Sequence, residues 1–145
     1  MTASAPAPRL EELSELLVGD WRVEGPDIEG RAEYRSVDGG RLLVLFVDFR
    51  VGGTRMRVLQ HISHHEASGT LRASNMDTMG DRSTYTWELY GRTIRVSLGE
   101  QPSDTYFRAT LDEDRSRYVG TWHYPDSEPQ DPVEGIVYTR VTDDE

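Results

Sequence analysis

His61, His64 and His65, followed by Glu66, are the stretch of this chain whose residue types match a metal site or a general base. Successive residues of an extended strand point to opposite faces, so His61 and His65 share one side and His64 takes the other. Ligands of a tetrahedral zinc ion must converge on one point. This spacing instead reads as surface histidines where a strand gives way to a turn near His64, with no metal bound. Parity puts His61 outside, beside Arg72. A one-residue bulge before the turn would swing His61 inward and make it the interior's one catalytic general base.

Other chemistries fall away by composition. With no Cys, thiol nucleophiles and thiolate metal sites are excluded. All sixteen basic side chains are Arg, so lysine Schiff-base chemistry is excluded as well. No Gly-x-Ser-x-Gly motif and no phosphate-cradling glycine loop occurs. Paired carboxylates fall in loops and in Asp143-Asp144-Glu145, where a solvated run is the ordinary reading, and the acidic loop Asp126–Pro132 reads either as a plain surface loop or as a lid over a barrel mouth. A net charge of −10 argues against nucleic acid or an anionic membrane as partner. No apolar run approaches membrane-spanning length, and the start lacks the pattern of a signal peptide, so the expected location is cytoplasmic.

These residues need a scaffold, and the apolar pattern supplies one. Residues 1–7 read as a disordered lead, 8–142 as one domain and 143–145 as an acidic tail. Leu10, Leu13, Leu16 and Leu17 recur at helical spacing and end at Gly19, which predicts one short helix. Thereafter the period is two. Strands are expected near 20–24, 29–37, 41–51, 54–63, 69–76, 82–89, 92–98, 104–111, 117–124 and 135–141, most of them joined by turn residues such as Asp38-Gly39-Gly40 and Gly52-Gly53.

Folding the chain about these turns pairs Trp21 with Ala32, Tyr34 with Leu43, Phe49 with Met56, Ile62 with Leu71, Trp87 with Ile94, and Ala109 with Tyr118. In every hairpin the apolar set falls on one common face, and Arg and Glu fall on the other. A meander with one continuous apolar face closes most simply into an up-and-down antiparallel β-barrel, all-β, of about 8–10 strands, because closure removes exposed edges.

The segment Leu16-Leu17-Val18-Gly19-Asp20-Trp21 resembles the Gly-x-Trp opening of lipocalin-like (calycin) barrels. Asp38–Val44, Asp77–Gly80, Tyr118–Trp122 and Glu134–Val141 resemble, more specifically, small bacterial lipocalin-like domains of unknown function. The likeness spans nearly the whole chain and departs at His61–His65, where an Asp-Pro turn would be expected. It implies a barrel and a small apolar ligand, and it carries over no catalytic residue.

The expected ligand-binding residues are Tyr34, Phe49, Gln60, Asn75, Tyr85, Trp87, Tyr118 and Trp122, which line the inner face with aromatic walls and isolated polar groups. Gln60 and Asn75 either satisfy one another or meet a ligand. No cofactor is called for. Two other functions stay open: a cyclase or isomerase using the interior as a shaped active site, and an interaction protein with a filled barrel. On the outer face Val44, Phe46 and Leu59 form an apolar patch, which either the helix covers or a homodimer interface buries.

Overall fold

The computed structural model describes residues 8–65, 69–99, 104–124 and 135–141. The lead 1–7, the loop Asp126–Pro132, Glu66 and the tail from Asp143 lie outside the described residues. One helix, α1 (Pro8–Leu17), precedes ten strands: β1 (Gly19–Gly25), β2 (Ile28–Val37), β3 (Leu42–Val51), β4 (Thr54–His65), β5 (Thr70–Asp77), β6 (Arg82–Tyr90), β7 (Thr93–Leu98), β8 (Tyr106–Leu111), β9 (Arg117–His123) and β10 (Ile136–Arg140). Each strand pairs antiparallel with the next, and β10 returns to pair with β1, closing an up-and-down barrel.

The expected parity holds in every hairpin, but four registers differ by two residues. Tyr34 faces Leu45, Ile62 faces Ala73, Trp87 faces Val96, and Ala109 faces Gly120. The reason is turn placement. Val37 pairs with Leu42, so the β2–β3 connection takes in Arg41 as well as Asp38-Gly39-Gly40, and β6 extends to Tyr90 before it turns. A two-residue slip leaves each side chain on its face, so the inner and outer sets survive.

One end of the barrel is plugged. Leu10, Leu13, Leu16 and Leu17 of α1 are buried with Trp21, Leu43, Ile62 and Leu111 in one cluster. The Trp21 indole donates to the Leu17 carbonyl at 2.8 Å, tying β1 to the helix. A helix end leaves carbonyls without partners, and cations are favoured there. The last turn of α1 has no basic residue of its own. Arg140 of β10 supplies the charge, donating to Leu16 O and Val18 O at 2.7 Å each and to Arg115 O at 3.1 Å. Its guanidinium also lies 4.3 Å from the centre of the Trp21 ring. Gly19 is required at this crossing, because a Cβ there would stand 2.7 Å from an Arg140 nitrogen and its φ is +134°.

The leucines of α1 thus enter the barrel end, and they do not cover the outer patch. Phe46 remains 39% exposed and is paired with Leu59, which in turn faces Met76, 40% exposed. Val44 lies on the same face. Elsewhere on the outside, charges pair across strands, as Asp48 does with Arg55 at 2.8 and 3.0 Å.

Candidate functional site: the barrel cavity

Away from the helix the interior is hollow. A cavity of about 310 Å³ is bounded by Val23, Leu45, Val47, Phe49, Val58, Ile94 and Val96 together with aromatic rings. All eight residues read from the sequence as ligand-binding border it: Tyr34, Phe49, Gln60, Asn75, Tyr85, Trp87, Tyr118 and Trp122. The alternation of each strand brings them to one face, and closure turns that face into a container.

Several lining residues go beyond that reading. Tyr138 and Ile136 come from β10, which no short turn ties to β9, so parity could not be carried across to it. Phe107 also borders the cavity, and its ring occupies the space a side chain at Gly120 would need. Asp77 closes the inner row of β5 at the mouth. Its Oδ1 accepts the backbone N–H groups of Met79 at 2.9 Å and Asp81 at 3.1 Å, shaping the turn into β6.

The polar groups of the wall are arranged in two sets. In the first, the Trp87 indole reaches Gln60 Oε1 at 2.6 Å, and Gln60 Nε2 donates to Asn75 Oδ1 at 2.9 Å. Gln60 is buried and has both ends of its amide engaged. The pair thus bonds to itself, with Gln60 satisfied inside the protein and Asn75 engaged through its oxygen. In the second, the Tyr34 and Tyr118 hydroxyls share one hydrogen bond of 3.1 Å. Tyr118 stacks on Tyr138 at 4.3 Å and meets Trp21 edge-on at 4.9 Å. Burial pushes both phenols of the pair above their ordinary range, and Tyr138 up to about 12. These phenols are therefore neutral hydrogen-bonding groups across the physiological range.

At the mouth, Trp122 is 38% exposed and packs against Phe107 at 5.5 Å and Tyr85 at 6.4 Å. It forms an aromatic rim.

His61 is exposed on the outer face, opposite Val44 on one side and Ser74 on the other. The β3–β4 and β4–β5 ladders run past it unbroken, so there is no bulge to turn it inward, and it has no access to the interior as a general base. The strand also continues through His64 and His65 where a turn was expected. Arg72 consequently pairs with Ser63 and not directly with His61, and its guanidinium lies 3.1 Å from the His65 ring. Among the described residues no three His, Cys, Asp or Glu side chains converge as metal ligands would.

The chain matches no known family model. Nor does any curated protein match it. The case for a function therefore rests on what the cavity can hold.

Proposed function

We propose that this protein is a cytoplasmic, lipocalin-like (calycin-like) binding module that holds one small, mainly apolar molecule inside its barrel. The observation that carries this reading is the cavity itself: about 310 Å³, walled by aliphatic and aromatic side chains, with few and convergent polar groups. That volume falls at the small end of the roughly 300–1,000 Å³ typical of ligand pockets. It supports binding over a filled barrel. A cyclase or isomerase reading loses its proposed base with the outward position of His61, and retains only the inward tyrosines Tyr34, Tyr118 and Tyr138, whose raised pKa values make them neutral hydrogen-bonding groups. Among the described residues no helix is long and apolar enough to cross a membrane.

Native mass spectrometry of protein purified from its own cells, compared with the denatured mass, tests the reading. A bound small-molecule mass lost on denaturation is expected, together with its loss in Trp87→Ala. Retention of the same mass by both Trp87→Ala and Asn75→Leu would sink the assignment of this cavity.

A homodimer through Val44, Phe46, Leu59 and Met76 is the second part of the proposal, supported by the exposure and continuity of that patch across β3, β4 and β5. Sedimentation is expected to give a dimer that Phe46→Arg converts to monomer. A wild-type monomer at tens of micromolar would remove it.

A further inference from the structure

The polar chemistry of the cavity is one-sided. An indole N–H can only donate, so the Gln60 atom facing Trp87 at 2.6 Å must be the carbonyl oxygen. The other end of Gln60 is then NH2, and the Asn75 atom that receives it at 2.9 Å must be an oxygen. This orients both amides, and it leaves the Asn75 NH2 group at the open end of the relay, on a residue that borders the cavity. Hydrogen bonds in such a chain polarise one another, which strengthens the terminal donor. At the floor the same logic applies. Whichever of Tyr34 and Tyr118 donates in their shared bond, the other retains a hydroxyl proton that the bond does not use.

Charge is one-sided too. Among the described residues bordering the cavity there is no Lys, Arg or His, and Asp77 is the one carboxylate. It follows Asn75 on the inner face of β5, toward the mouth, and the turn engages its Oδ1. Arg140, whose guanidinium lies against Trp21, is turned to three backbone carbonyls and does not border the cavity. An anion entering this barrel meets a carboxylate and finds no cation.

Size narrows the class further. An apolar cavity of about 150 Å³ accepts one benzene, so a space of about 310 Å³ suits a body of two rings better than a long acyl chain.

We infer that the ligand, if the binding reading above holds, is an uncharged molecule of about two aromatic rings whose carbonyl-type oxygen accepts from Asn75 Nδ2, and that carboxylates and sulfonates are turned away at Asp77.

Three naphthalene dyes separate these points by fluorescence titration of the intact protein. Prodan is neutral and carries a carbonyl. N-phenyl-1-naphthylamine is neutral and carries none. 8-Anilino-1-naphthalenesulfonate is the second dye with a sulfonate added. Prodan is expected to bind about five- to tenfold more tightly than the amine. The amine also carries a third ring, so the hydrogen bond's share is read from the loss of that advantage in the Asn75 variants. The sulfonate is expected to bind at least about tenfold more weakly than the amine. Asn75→Asp keeps an oxygen for Gln60, removes the free donor and adds a charge. It is expected to abolish the Prodan advantage, and Asp77→Asn to restore sulfonate binding toward that of the amine. Asn75→Leu, read alongside, guards against an effect of the new charge.

Sulfonate binding equal to that of the amine, or a Prodan advantage that survives both Asn75 variants, would overturn this inference and leave the binding module standing. Failure of all three dyes to bind would overturn the binding module itself.

Discussion

The two ends of this barrel are built from the same residue types and behave differently. At the plugged end Trp21 is fully buried, its indole N–H is held by a helix carbonyl, and a guanidinium lies on its face. At the mouth Trp122 is 38% exposed and leans on other rings. One tryptophan closes a core; the other edges a hollow. The contrast teaches that inward parity settles which face a side chain takes but not whether it fills space or borders it. That second property follows from where the helix enters.

The sharpest way to break the comparison is truncation at each end. Trp21→Ala is expected to cost about 3–5 kcal/mol, as large aromatic deletions in a packed core do, seen as a lowered urea midpoint. The second measurement is alkaline unfolding. Burial holds Tyr34, Tyr118 and Tyr138 protonated above their ordinary range. Above pH ~10 the unfolded chain therefore binds fewer protons than the folded one, and stability falls as pH rises, by about 1.4 kcal/mol per unit for each phenol. Below pH ~10 the contribution is fully present. Tyrosinate absorbance is expected to show these three ionising with unfolding and not before it. If they titrated freely in the folded protein, the floor would be wet and the two ends alike. The smallest effect belongs to the rim, where Trp122→Ala is expected to shift stability by under about 1 kcal/mol in the same urea assay, because its surface is already partly solvated. A cost equal to that of Trp21→Ala would erase the distinction.

Most of the architecture was legible in the residues because a period of two tolerates errors of two. The pairing of Tyr34 was displaced along the ladder to Leu45, yet the side chain remained inside. Less legible was whatever depended on contacts between distant strands. Nothing local says that Trp87 reaches Gln60, or that Arg140 of the last strand lies under Trp21 of the first. Tyr138 was missed because β10 follows a long connection that transmits no register. Alternation also assigns Thr86 and Ser97 to the outer face, where both are fully buried; Thr86 donates to the Gly99 carbonyl at 2.9 Å. The site residues were found as a set because lining a barrel is a property of parity. The direction of the relay depends on contacts between strands that parity does not set.

Arg140 bonds to Val18 across 122 residues of sequence, and the same strand completes the sheet by pairing with β1. A growing chain adds roughly 5–20 residues per second, so the first strand waits on the order of ten seconds for its partner. During that interval β1 presents an unpaired edge, and the helix end it adjoins lacks its cation. Such long-range closure also places this fold among slow folders. The last strand therefore governs the nascent protein's exposure to aggregation: a ribosome stalled before Ile136 would hold a sheet with two open edges.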